Sequence, residues 1–310
     1  MKSNSLAGST LTPMRTLPTP GAVLELLKPI TWFPPMWAYA CGAVSIGGAI
    51  SDRWLYVLGG ILLAGPLICG TSQAVNDWFD RHVDAINEPN RVIPSGRMPG
   101  RWGLYVAIIA TIISLSVASL LGLWVFVAAV IGLALAWAYS APPLRLKQNG
   151  WLGCAACGFS YESLPWITAA AAGLGTLPSW QIIAVALLYG LGAHGIMTLN
   201  DFKAIQGDKQ MGINTLPVLY GPTSAAKIAC FTMFSAQAGV VSLLLSWDRP
   251  IHAAIVAALL AVQAVCMVRF IKKPIERDVW FSAIGVGLFV SGMMTSAIAL
   301  RSLNLTTIGG

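Results

Sequence analysis

The chain has 310 residues, 56% of them hydrophobic and only 10% charged, with a mean hydropathy of +0.71. Those values exclude an ordinary soluble domain and indicate a polytopic membrane protein. The net charge of +7 lies between apolar runs, so it reports membrane orientation rather than nucleic-acid binding.

Residues 1–28 read as a short polar tail, without the apolar core and small-residue cleavage site of a secretory signal. Apolar stretches follow at about 30–50, 54–75, 104–121, 123–140, 151–172, 180–199, 225–246, 252–271 and 280–300. They predict an all-α membrane domain over 29–301, with nine transmembrane helices around a central cavity, and a C-terminal tail over 302–310. At the start of the first span, Trp32 and Trp37 flank a Pro34-Pro35 break that could shape a pocket for a flat ligand.

The second span runs into "NDWFDRHVDAINEPNR", which holds four carboxylates within twelve positions. On a helix, at about 100° per residue, Asp77, Asp80 and Asp84 fall within an arc of about 60°. Pro89 disfavours helix at Glu88, and Pro94-Ser95-Gly96 continues the break, so a loop is expected to follow and to cover whatever the acids bind. The fourth span ends at "YSAPPLRLKQNGW". Cys154 and Cys157 have redox spacing, but no second pair accompanies them, and all six cysteines (41, 69, 154, 157, 230 and 266) read as packing residues.

Glu162 within the fifth span and His194 within the sixth are intramembrane polar groups, functional candidates by position. Each also fits a plain hydrogen bond between helices. The sixth span ends at "NDFKAIQGDKQMGINTLPV", which repeats the first motif at an offset of 124: Asn76, Asp77 and Asp84 map onto Asn200, Asp201 and Asp208. On a continuous helix Asp201 and Asp208 would align within about 20°. Four spans separate the copies, an even number, so both are expected on one side of the membrane.

If the N-terminus is cytoplasmic, sixteen of the Lys and Arg residues face the cytoplasm and only Arg53, Arg249 and Arg301 face away. That bias places both acidic motifs, with the segments 76–103 and 200–224, on the cytoplasmic side.

Clustered carboxylates repel and require a cation. An oxygen-only set of Asn76, Asp77, Asp80, Asp84, Asn200, Asp201 and Asp208 suits Mg²⁺, which completes its shell with water and phosphate oxygens. Arg81, Arg91, Arg145, Lys147 and Lys209 lie on the same side and could hold further phosphate oxygens. The acids could instead be a solvated helix end paired with these cations. A diphosphate with an isoprenoid tail suits a site inside the bilayer: the metals stabilise the departing diphosphate and an allylic cation remains. An ion-coupled transporter would also use intramembrane acids and repeats, but its site belongs near the midplane.

At these motifs the chain resembles the UbiA-type intramembrane prenyltransferases, whose pattern is Asn-Asp-x-x-Asp-x-x-x-Asp after the second span and another acidic motif after the sixth. "LLKPITWFPPMWAYACG" and the three segments quoted above look like the chlorophyll and bacteriochlorophyll synthase branch, and the short N-terminus is more like its purple-bacterial members. The resemblance implies esterification of a chlorophyllide or bacteriochlorophyllide propionate with geranylgeranyl or phytyl diphosphate, at the cytoplasmic face of a bacterial inner (intracytoplasmic) membrane. Prenyltransferases that act on a quinone precursor or haem share the metal motifs. By resemblance, Asn76, Asp80 and Asp84 with Asp77 nearby serve one Mg²⁺, Asp201 and Asp208 a second, and Tyr139, Arg145 and Lys147 the diphosphate. Many relatives carry a further Asp where this chain has Ala204, so the second metal is either held more loosely or completed by Asn200. Toward such an acceptor, Glu162 and His194 are the candidates for the macrocycle or its central magnesium.

Overall fold

In the computed structural model, the described residues are 17–308 except residue 49, and among them there are helices and one isolated bridge between Asn149 and Asn214, with no strand. A short helix α1 (Pro20–Leu26) leads into α2 (Phe33–Ser45). Next come α3 (Trp54–Leu62) and α4 (Gly70–Asn87), fused by a π turn over Leu63–Cys69 into one membrane-length rod. Pro66 lies in that turn; it has no N–H and would clash with the preceding carbonyl, and the widened turn accommodates it.

Then follow α5 (Trp102–Leu120), α6 (Leu123–Ser140), and α7 (Gly150–Gly158) joined to α8 (Leu164–Leu174) by a second π turn, Phe159–Ser163, ahead of Pro165. Helix α9 (Trp180–Asn200) passes into a 3₁₀ turn and the short α10 (Ile205–Gln210) and α11 (Leu216–Tyr220). Three long helices finish the chain: α12 (Pro222–Ser246), α13 (Pro250–Lys272) and α14 (Pro274–Ile308).

Among the described residues, seven helices are long and apolar enough to cross a membrane. The other two expected spans differ in form. The first is a helix of 13 residues, about 20 Å long: Pro29–Thr31 form a separate 3₁₀ turn, and α2 starts at Phe33 with Pro34-Pro35 in its first turn, where a missing N–H costs nothing. The fifth is the π-interrupted pair α7–α8. The tails differ too. Residues 20–26 of the expected polar tail are helical, and α14 runs on through 302–308. Residues 1–16 of the expected tail, with Lys2 and Arg15, lie outside the described residues.

The helices close a ring. The α3–α4 rod packs on α5 and α6, α6 on α8, α7 on α9, α9 on α12, α12 on α13, α13 on α14, and α14 on α2, which returns to α3. Small residues allow the close crossings: a Cβ on Gly42 would stand 2.2 Å from the Trp166 carbonyl oxygen, and one on Gly195 2.4 Å from that of Ala229. Directional bonds fix the register where apolar contact with lipid cannot. The Trp37 indole donates to the Val290 carbonyl at 2.9 Å, Trp166 to Ser45 Oγ at 3.0 Å, and Tyr189 meets Ser296 at 2.9 Å. Inside the ring is a cavity of about 740 Å³.

Candidate active site

Asn76 and Asp77 of the first motif and Asn200 of the second line the cavity, while Asp80, Asp84, Asp201 and Asp208 lie outside its lining. Helix α4 continues beyond its apolar part to Asn87, so Asn76, Asp77, Asp80 and Asp84 stand on regular helix, as their spacing requires. The Asn76 amide donates to Ser140 Oγ on α6 at 3.3 Å. Asp77, only 2% exposed, accepts from Lys28 Nζ at 2.6 Å and from Arg91 Nη1 at 3.3 Å. The same Arg91 nitrogen reaches Asp84 Oδ2 at 2.9 Å. Glu88, Arg91 and Val92 of the following loop also line the cavity.

Asp80 faces the loop between α6 and α7. It pairs with Lys147 and, at 3.4 Å, with Arg145 Nη2. Both Lys28 (φ 47°) and Arg145 (φ 37°) adopt left-handed backbone conformations, which cost a non-glycine residue roughly 1–2 kcal/mol. Each therefore holds its cation against a carboxylate at some expense in backbone energy. Tyr139, at the end of α6, lines the cavity below.

The second motif is built differently from expectation. Asn200 ends α9, Asp201 starts a 3₁₀ turn, and the chain bends at Ala204 before Asp208 on α10, so the two aspartates do not share a continuous helix. They still come together, near enough for their charges to repel. Asp208 accepts from Thr215 Oγ1 at 3.2 Å. Burial pushes the Asp208 carboxyl above its usual range and the Asp80 carboxylate adds to this, while the Thr215 hydroxyl and the Lys147 charge oppose it. Burial likewise lowers the Lys147 ammonium, against the pull of Asp80. Asp80, Lys147 and Asp208 thus tie the two motifs into one electrostatic unit. Two backbone bonds hold the arrangement: Gly150 N donates to Asn214 O at 2.9 Å, and Asn214 N to Gln148 O at 3.0 Å.

Several expected participants lie elsewhere. Arg81 turns off the acidic face, donates to the Trp78 carbonyl and stacks 4.2 Å over the Trp78 ring. Lys209 is exposed beside Asp208 and does not line the cavity. The Trp32 indole is spent on the Leu27 carbonyl at 2.7 Å, and its Cβ packs near Gly65. Glu162 and His194 are buried outside the cavity lining; His194 lies 5.4 Å from the Trp151 ring. Trp37 also lies outside the lining and stacks on Phe33. The cysteines are free among the described residues, with Cys154 Sγ 4.0 Å from Asp201 Oδ2.

Lys28 was the residue that sequence reasoning missed. It counted only as one of many basic residues, and its single local signal is its place directly before Pro29. Below the mouth, Ser72, Gln73 and Tyr161 add polar atoms to the wall, with Gln73 Nε2 donating to Tyr161 Oη at 3.1 Å.

The donor set fits Mg²⁺. It is all oxygen and amide, with Asn76, Asp77 and Asn200 in the cavity lining and the other aspartates near them, and Mg²⁺ commonly takes one or two carboxylates and fills its shell with water and phosphate oxygens. Among the described residues no three acidic, His or Cys side chains form a ready cage. That agrees with carboxylates held by Lys28, Arg91, Arg145 and Lys147 rather than by each other.

Comparison with known proteins agrees with this architecture. The chain is 54% identical to the bacteriochlorophyll synthase 33 kDa chain of Cereibacter sphaeroides, over 94% of this chain and 96% of that one. It is 37% identical to the chloroplastic chlorophyll synthase of Arabidopsis thaliana, over 89% and 73%. A UbiA homologue from Archaeoglobus fulgidus, solved with GPP and Mg²⁺, shares the fold with a TM-score of 0.64 at 19% identity, over 91% and 99% of the two chains. The UbiA prenyltransferase family model matches residues 30–293, and the chain belongs to that family as an integral membrane protein.

Proposed function

We propose that this protein transfers a geranylgeranyl or phytyl group from its diphosphate to the propionate carboxylate of bacteriochlorophyllide or chlorophyllide, forming the ester and releasing pyrophosphate. The observation that carries the reading is a largely apolar transmembrane cavity whose lining includes Asn76, Asp77 and Asn200 of the two motifs with Lys28 and Arg91, while Asp80, on the same helix as Asn76 and Asp77, pairs with Arg145 and Lys147. The relatives named above support the choice of acceptor.

In this reaction the bond between C1 of the prenyl chain and the diphosphate oxygen breaks, its electron pair leaving with pyrophosphate, and a propionate oxygen bonds to C1. A propionate with a pKa near 4–5 is already ionised at neutral pH and needs no strong base. Mg²⁺, when bound by residues among Asn76, Asp77, Asp80, Asp84, Asn200, Asp201 and Asp208, neutralises the departing diphosphate. Lys28, Arg91, Arg145 and Lys147 are the cations placed to hold its oxygens. Tyr139 and the apolar walls below exclude water from the allylic carbon.

The positive-inside count supports a cytoplasmic mouth, in the inner membrane of a bacterium, with residues 29–301 as one catalytic domain. The reading is tested with purified protein, Mg²⁺, geranylgeranyl diphosphate and each chlorophyllide in turn, following pyrophosphate and a more hydrophobic pigment. Failure to esterify either macrocycle overturns it.

A further inference from the structure

A second cavity of about 220 Å³ lies beyond the first, lined by Tyr39, Ala43, Ile46, Arg53, Tyr56 and Val57 among others. Tyr39 and Val125 line both, so the two spaces share a wall at their level. Tyr39 is 5% exposed, and the tip of its ring abuts Gly60, where an added Cβ would stand 2.0 Å from Tyr39 Cζ. Ala64, Val57 and Ile61 pack around it. We infer that Tyr39 is the floor of the prenyl channel and sets the longest tail the enzyme accepts. This inference rests on the prenyl-transfer reading above.

The lengths agree. From Tyr139 at the mouth to Val125 at the floor, α6 covers fourteen positions, or about 21 Å at 1.5 Å per residue. An extended chain of single bonds advances about 1.2 Å per bond, so the fifteen main-chain bonds of a geranylgeranyl or phytyl tail span about 18 Å and fit above the floor. One more isoprene unit brings the span to about 23 Å and drives the tail end into the Tyr39 ring. The space behind the ring has room for that unit, since a cavity of about 150 Å³ accepts a benzene. Small residues on the inner walls, Ala64, Ala128, Ala129 and Gly132, keep the path above the floor open.

The test is a competition between C20 and C25 polyprenyl diphosphates, with C15 as the short control, in wild-type protein and in Tyr39→Ala. Removing the ring joins the two cavities, and the C25 to C20 ratio of kcat/KM is expected to rise about tenfold, in the range that pocket size gives for hydrophobic substrates. Ala64→Leu fills the lower channel from the opposite wall and is expected to move the C15 to C20 ratio upward by a similar factor. Unchanged ratios in variants that still turn over overturn the inference. If Tyr39→Ala does not fold, the Ala64→Leu ratio decides alone. Wild-type protein that uses no prenyl diphosphate of any length would defeat the underlying prenyl-transfer reading instead.

Discussion

Lys147, on the loop between α6 and α7, donates a hydrogen bond to Asp80 on α4 across 67 positions of chain, and the lysine side chain is only 8% exposed. The pair joins the acidic helix to the basic loop. Lys147→Ala leaves Asp80 with Arg145 at 3.4 Å, so the fold is expected to persist while diphosphate binding weakens. KM for the prenyl diphosphate should rise about tenfold or more, with a smaller change in kcat. Asp80→Ala removes a proposed metal donor and strands a buried ammonium, at a cost of about 3 kcal/mol. It is expected to abolish turnover and lower the thermal midpoint in detergent, while a Mg²⁺-dependent activity near wild type would refute the role of Asp80.

Arg91 bridges Asp77 and Asp84 from the loop that follows α4. With Arg91→Ala the loop loses its anchor and the site one cation. The variant should raise KM for the diphosphate and make residues 88–101 more open to limited proteolysis, and added prenyl diphosphate with Mg²⁺ should protect wild type more than the variant. Equal cleavage of both proteins, with and without ligand, would rule out an ordered cover.

The acidic stripe of the first motif was legible because α4 stays helical through Asn87, so a 3.6-residue period applied to Asp77, Asp80 and Asp84 is the real geometry. The same arithmetic puts Arg81 only about 40° from Asp77, so the period alone admits it to the acidic face; its side chain instead turns back over Trp78. The period failed for Asp201 and Asp208, where a 3₁₀ turn and the bend at Ala204 replace the helix. Glu162, His194 and Trp32 were candidates by residue type within a span, but type does not tell which face meets the cavity. Lys28 meets Asp77 only through the packing of α1 on α4, a contact 49 positions apart that no local pattern records.

Asp208 gives a pH test. Its carboxyl is raised by burial and lowered by the Thr215 hydroxyl, and a metal requires the ionised form. As pH falls, protonation of Asp208 competes with Mg²⁺, so the Mg²⁺ concentration for half-maximal rate should increase. Thr215→Val removes the hydrogen bond that favours the carboxylate, which raises the Asp208 pKa further. The acid limb of the activity profile is therefore expected to move to higher pH in that variant, most clearly at limiting Mg²⁺. A limb that stays put, or moves to lower pH, contradicts the assignment.

Gly150 is where the basic loop meets the segment after the second motif. Its N–H donates to Asn214 O, and a Cβ there would lie 2.6 Å from the Leu216 backbone nitrogen. Backbone cannot step aside as the end of a side chain can, so Gly150→Ala must push the Asn149–Asn214 bridge apart, at a cost of about 1–3 kcal/mol. The loop carrying Arg145 and Lys147 would then shift relative to Asp208, and because a displacement near 1 Å can cost about a hundredfold in rate, kcat/KM is expected to fall by one to two orders of magnitude. Gly153→Ala is the comparison: its Cβ would meet the Lys147 Cα at 3.1 Å, a contact that a small adjustment relieves, so its loss should be milder. Equal activity in Gly150→Ala and wild type would show that the bridge does not set the position of the basic loop.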